Sequence, residues 1–199
     1  MKVIGLTGGI ASGKSSVGSI LQKFGVRVIG ADQVAHQIYQ PGTPGYAKVM
    51  QEFGPQILDA GGKINRSRLG EIVFGSAEAR LKLEAITHPL IMQKINDLID
   101  SARLQNLKII VVEVPLLFEA SLENQFDEIW VVSSTPESQL ERLISRNQLT
   151  REQAIARLSA QLPICEKEAK AHVVIRNNGN FGDLEEEVKR LLEERQPYN

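Results

Sequence analysis

The sequence predicts an α/β fold, a five-stranded parallel sheet flanked by helices. Three observations carry that expectation. Five short runs rich in Val and Ile recur along the chain, helical patterns fall between them, and a glycine-rich turn joins the first run to the first helix. The runs are Lys2–Thr7, Val26–Gly30, Lys108–Val114, Glu128–Ser133 and His172–Ile175. Several are apolar on consecutive positions, as strands of a parallel sheet are when helices cover both faces. Ser15–Phe24 reads as the first helix, stopped by Gly25. Thr135-Pro136 opens another, through about Arg146, with a cap residue followed by proline at the first helical position. Asp183–Glu194 reads as a charged amphipathic helix whose apolar stripe is Leu184, Val188, Leu191 and Leu192. Strands alternating with helices imply right-handed crossovers.

Two stretches interrupt the rhythm. Residues 41–106 hold no strong strand, begin with the turn-rich Pro41-Gly-Thr-Pro-Gly-Tyr46 and read as a helical insertion. Residues 146–170 read as a second helical insertion, with a capping-box pattern at Thr150-Arg-Glu-Gln153. The predicted core is then 1–40 together with 107–145 and 171–199. Both insertions follow the C-terminal side of a strand, where α/β proteins place their ligand crevices.

Bulk properties exclude several classes. A chain of 199 residues supports one sizeable core with insertions rather than two full domains. Basic and acidic residues balance at 23 to 24, so no global field draws the chain to nucleic acid or to an anionic membrane. Any bound anion must be held by a local site. No apolar run reaches 18 residues, and the N-terminal run is too short for a signal peptide. The single cysteine, Cys165, cannot form an internal disulfide, which suits a reducing cytoplasm. Nothing in the sequence sets an oligomeric state.

Gly8-Gly-Ile-Ala-Ser-Gly-Lys14-Ser15 fits G-x-x-x-x-G-K-[ST] at every fixed position, between an apolar strand and a helix. The glycines let the backbone curl until successive N–H groups, including those of Ala11, Ser12 and Gly13, point at phosphate oxygens. The helix N-terminus adds its positive dipole end. Lys14 reaches the β- and γ-phosphates, Ser15 ligates Mg²⁺, and Ser16 can offer its N–H and hydroxyl to an α-phosphate. This P-loop implies a nucleoside triphosphate without saying which reaction.

Other residues narrow the chemistry. Asp32, just past the second run, can accept a proton from an attacking hydroxyl, or can cap a helix starting near Gln33. Glu113 ends the third run, where a carboxylate orients Mg²⁺ through water, or makes a buried structural hydrogen bond. Arg142 and Arg146 share one helix face, placed to close over a transferring phosphoryl group or to pair with Glu137 or Glu141. Arg157 carries a weaker form of the same claim. Arg66 and Arg68 could meet an anionic substrate, and His88 before Pro89 sits in the first insertion. Spacing assigns nothing to His36 or His172. Asn177-Asn-Gly179 could edge an adenine ring or form a plain turn. No Asn-Lys-x-Asp guanine-reading motif occurs, which argues against a GTPase.

Taken together, several segments resemble the dephospho-coenzyme A kinase family. They are Ile4–Ser15, Ala31-Asp32-Gln-Val-Ala35, Pro41-Gly42, Phe53-Gly54, Arg66 with Leu69, His88-Pro89, Val114-Pro-Leu-Leu-Phe-Glu119, Gln139 with Arg142 and Arg146, Gln161, and Val174-Ile175 with Asn177-Asn178. The resemblance implies a P-loop kinase core, a coenzyme A-binding insertion over 41–106 and a lid over 146–170. It implies transfer of the ATP γ-phosphate to the ribose 3′-hydroxyl of dephospho-coenzyme A, the last step of coenzyme A synthesis. By position, Asp32 would be the base, Lys14 the phosphate clamp, Arg142 an arginine near the phosphates and Arg146 a lid residue. Arg66 and His88 would border the acceptor, Asn177 the nucleotide. Three positions depart from the family's usual pattern: Gly30 and His172 stand where it often has Asp, and Glu113 where it often has the shorter Asp. The competing readings are another small-molecule or nucleoside monophosphate kinase on the same core, and a nucleotide-dependent binding switch.

Overall fold

The computed structural model describes residues 1–195, so the last four residues of the predicted core lie outside the described residues. The chain forms two compact units, one of Met1–Ile29 with Ala102–Asn199 and one of Gly30–Ser101.

The first unit is built on a sheet of five strands in the order β2-β3-β1-β4-β5. These are β1 (Lys2–Gly8), β2 (Arg27–Gly30), β3 (Ile109–Glu113), β4 (Glu128–Ser133) and β5 (Val173–Arg176). Each of the five runs expected from sequence is a strand, with ends that agree to within one residue and, for β4, coincide. β1 pairs in parallel with β3 and β4, and β4 with β5. One face shows why the runs are continuously apolar. Ile4, Leu6, Ile109, Val111, Trp130 and Val132 alternate onto it. Helix α1 (Lys14–Lys23) covers that face with Val17, Ile20 and Leu21. The C-terminal helix, Phe181–Arg195, joins them with Leu184, Val188, Leu191 and Leu192, the stripe read from sequence. The intervening strand residues Val3, Ile110, Val112, Ile129 and Val131 are buried too, so both faces are covered.

Strand order reverses around β1. After β1 the chain runs outward to β2, and after β3 it crosses to β4 on the other side. The crevice at the C-terminal end of β1 is therefore the switch point where such sheets bind ligands. The P-loop starts there.

The second unit is mostly helical. It holds α2 (Ala31–Ile38), α3 (Pro44–Phe53), α4 (Arg66–Gly75) and most of α5 (Ala77–Leu104). Its own core is Val49, Phe53, Ile57, Ile64 and Leu69, with Tyr39, Ile72, Leu83 and Ile86 against it. Its strand content is one antiparallel bridge, Leu58 to Ile64. The Thr43 hydroxyl caps α3 by accepting from the Tyr46 N–H, and the Asn65 carboxamide caps α4 by accepting from Ser67 and Arg68. Pro89 lies inside α5, where it withholds one backbone N–H from the helix.

Candidate active site

The P-loop curls as its glycines demand. Gly13 takes φ +97°, a conformation that L side chains rarely adopt, and Ala11, two residues before it, is left-handed at φ +58°. The Ser12 N–H donates to Gly9 O at 3.1 Å, closing the turn, and α1 begins at Lys14. Lys14 Nζ is ion-paired with Glu113 Oε1 at the end of β3. The Ser15 hydroxyl stands 3.5 Å from the same carboxylate oxygen. Glu113 therefore meets the Lys14 ammonium and the Ser15 hydroxyl at one carboxylate oxygen. Its longer arm fits because α1 carries Gly18 alongside: a Cβ there would stand 3.3 Å from Glu113 Oε2.

Three side-chain amides brace this loop from outside. Helix α6 (Pro136–Asn147) opens on Thr135, whose hydroxyl accepts from the Ser138 N–H. It supplies the buried Gln139, whose Nε2 donates to Ile10 O at 2.8 Å. Gln161, between α7 (Arg151–Ser159) and α8 (Ile164–Ala169), accepts from the Ile10 N–H at 2.8 Å. Asn177, just past β5, donates from Nδ2 to Ser12 O at 2.9 Å. The amides explain two glycines as well. A Cβ on residue 9 would lie 2.2 Å from Gln139 Nε2, and one on residue 13 would lie 2.0 Å from Asn177 Nδ2.

Arg142, on α6, donates from Nη2 to Asn177 O at 3.2 Å. It thus joins the brace instead of pairing on the surface. Its Nη1 is buried without a protein partner, as is Ser12 Oγ in the loop. An unpaired buried guanidinium nitrogen is costly unless an acceptor reaches it. Arg146 is exposed in the last turn of α6 and donates to the neighbouring Asn147 at 3.0 Å.

Arg157 is exposed on α7, and Asp32, Arg66 and His88 belong to the second unit. Asp32 is the second residue of α2, exposed, immediately after the end of β2. No side chain caps α2, because the cap position is Gly30. The capping role weighed for Asp32 therefore falls away, and the departure at position 30 costs the helix a cap that Asp would supply. Arg66, at the start of α4, sets Nη1 against the His36 ring, 3.1 Å from Nδ1. Spacing had assigned His36 nothing, yet it sits one turn beyond Asp32 on the same face of α2. Tyr39 lies near by. Burial pushes its hydroxyl pKa up, against the opposing pull of Arg66 and a hydrogen bond with Thr87. His88 is exposed on α5 beside Pro89.

His172 closes an edge instead of a site. Its Nδ1 accepts from the Ile129 N–H at 3.0 Å while its own N–H donates to Ile129 O at 2.9 Å. A carboxylate could accept the same bond, so this departure leaves the sheet intact. Glu119 also has a structural task. One of its oxygens accepts from the Leu162 N–H at 3.0 Å and is ion-paired at 2.7 Å with the fully buried Lys167. Burial would raise the Glu119 carboxyl, but the Lys167 and backbone hydrogen bonds outweigh it and hold the group below its ordinary range.

A parallel sheet with a P-loop at its switch point, an ion-paired loop lysine and an arginine beside the loop define a P-loop kinase. The dephospho-CoA kinase family model matches residues 2–183. A dephospho-CoA kinase of Carboxydothermus hydrogenoformans is 46% identical over 97% of this chain and 94% of its own length. One from Lactobacillus johnsonii is 44% identical over 96% of each. The solved dephospho-CoA kinase of Campylobacter jejuni superposes with a TM-score of 0.75, at 34% identity over 96% of both chains. The chain belongs to the dephospho-CoA kinase family. Among the described residues no helix is long and apolar enough to cross a membrane.

Proposed function

We propose that the chain transfers the γ-phosphoryl group of ATP to the ribose 3′-hydroxyl of dephospho-coenzyme A, giving ADP and coenzyme A. The observation that carries this is the braced P-loop, in a chain that matches the family over residues 2–183. The transfer is direct and in line, since phosphoryl transfer needs positioning and charge neutralisation more than a covalent intermediate. The N–H groups of Ala11, Ser12, Gly13, Lys14, Ser15 and Ser16 cradle the phosphates. Lys14 leaves Glu113 for the β- and γ-oxygens as ATP binds. Arg142 turns its unpartnered Nη1 toward the charge that builds on the transferring group.

Asp32 takes the proton of the attacking hydroxyl. It is exposed, serves no cap, and follows directly on a strand of the P-loop sheet. Arg66, with His36 holding its guanidinium, and His88 border the acceptor within the 41–106 insertion and the helix before it. The segment 146–170 is the lid, and Arg146 rides on it to close over the phosphates and exclude water. The donor set suits Mg²⁺, which keeps most of its ligands as water and nucleotide oxygens. Ser15 would hold it directly and Glu113 through water, and the ion would supply positive charge that offsets the negative charge of the phosphates. No group of three His, Cys, Asp or Glu among the described residues offers a separate protein cage. The reaction is assigned to the cytoplasm, with ATP and dephospho-coenzyme A as partners and no part for nucleic acid or membrane.

The test is acceptor-dependent ADP release over a panel of nucleosides, nucleoside monophosphates, small alcohols and dephospho-coenzyme A. Stimulation by dephospho-coenzyme A alone is expected. A better acceptor elsewhere in the panel would point to another kinase on this core, and slow turnover indifferent to every acceptor would point to a nucleotide switch.

A further inference from the structure

The family's activity does not explain why the P-loop is gripped on both sides of one residue, Ile10. Its N–H is held by Gln161 and its carbonyl by Gln139, at 2.8 Å each. Its side chain, with that of Ala11, packs on the apolar cluster of Leu140, Leu143 and Ala154 that joins α6 to α7. The two glutamines differ in what they tie down. Gln139 belongs to α6, which packs beside the loop. Gln161 lies at the far end of α7, in the segment that leads into α8.

That segment is pinned a second time. The residue after Gln161, Leu162, donates its N–H to Glu119 in the β3–β4 connection, and five residues further Lys167 pairs with the same carboxylate oxygen. Lys167 is fully buried, so losing this partner would leave an uncompensated charge. The end of α7 is thus anchored to the sheet through Glu119 and to the phosphate cradle through Gln161. The α7 helix itself starts on a complete capping box between Thr150 and Gln153, so it is a firm element between α6 and that anchor.

We propose that Gln161 is a positioning residue that couples the α7–α8 segment to the phosphate cradle. By accepting from the Ile10 N–H it sets the curl of the loop, so that the cradle N–H groups are aimed before ATP arrives. The effect runs through Ile10 and not through any contact with ATP. This rests on reading the loop as the ATP site.

Only an acceptor is needed at position 161, which makes the test specific. Gln161→Met has nearly the length of glutamine and cannot accept the bond. Gln161→Glu keeps an oxygen for the Ile10 N–H. Calorimetric titration with ATP·Mg²⁺ alone, in high salt to screen the added charge, is combined with the Michaelis constants of both substrates. Loss of one neutral hydrogen bond that aims the cradle is expected to weaken ATP binding by about three- to tenfold in the methionine variant. The KM for ATP should rise with it, while the KM for dephospho-coenzyme A stays within about twofold. The glutamate variant is expected to remain closer to wild type than the methionine variant. Unchanged ATP affinity in Gln161→Met, an equal rise in both Michaelis constants, or a glutamate variant weaker than the methionine one would each overturn the proposal. The titration needs no acceptor. A wild-type chain that binds ATP but leaves dephospho-coenzyme A untouched would therefore refute the acceptor assignment alone.

Discussion

Gly13→Ala in the P-loop has a cost that can be apportioned. The added Cβ would lie 2.0 Å from Asn177 Nδ2, where ordinary contact begins near 3.4 Å. The amide must therefore withdraw by the difference, 3.4 less 2.0, or about 1.4 Å. Its 2.9 Å bond to Ser12 O does not survive that shift, which costs about 1 kcal/mol. The backbone at φ +97° adds about 1–2 kcal/mol once the residue has a side chain. The total is about 2–3 kcal/mol. In an Asn177→Ala background the clash and the bond are already gone, so Gly13→Ala should cost only its backbone share. Urea unfolding of the wild type, both single variants and the double variant measures this as a double-mutant cycle. A coupling of about 1 kcal/mol is expected. Equal costs of Gly13→Ala in both backgrounds would refute the reasoning, because the substitution would then be acting through the backbone alone.

Two other perturbations address separate parts of the molecule. Asp32→Asn should leave ATP binding nearly intact and lower kcat by about 10²-fold or more, and undiminished turnover would remove Asp32 from the base role. Glu128, at the start of β4, should govern acid stability. Burial alone would raise its pKa, but hydrogen bonds from Lys2 at 2.5 Å, Arg195 at 2.7 Å and Trp130 at 3.0 Å bring it down from 4.5 to about 2. A carboxylate lowered by folding stabilises fully above its unfolded pKa and loses that contribution as pH falls from about 4.5 to about 2. Glu128→Gln should cost about 2 kcal/mol at pH 7, after allowance for the solvent that reaches the pair. In urea unfolding at a series of pH values, the gap to wild type should close as the pH approaches 2. A gap that stays constant down to that pH would show that charge plays no part.

The legible features were those written locally. Five apolar runs, a strand–turn–helix P-loop, a Thr-Pro helix start and a capping box each occupy a few adjacent residues, and each takes the form expected. Local sequence could not say how the loop is held. Gln139 reaches Ile10 across 129 residues of sequence and Gln161 across 151, and nothing near either glutamine announces the partner. One signal was present: Gln139 sits in the apolar stripe of α6 beside Leu140 and Leu143, where a buried amide needs a partner. The alternatives left open at Asp32 were equally non-local in resolution. Both a base and a cap suit an aspartate after a strand, and only the helix start at Ala31 removes the cap. His36 leaves no local signal because its partner is Arg66, thirty positions on in a different helix. The Glu113 departure looked like a change of reach, and the space for it comes from Gly18 on α1.

The central claim is that the γ-phosphoryl group of ATP ends on the 3′-hydroxyl of dephospho-coenzyme A. Incubation with γ-labelled ATP, followed by phosphorus NMR and mass spectrometry of the purified acceptor, tests it most directly. The label is expected as a single 3′-phosphomonoester on the acceptor, one for each ADP released. Label recovered as inorganic phosphate, or on any other position or acceptor, would contradict the claim.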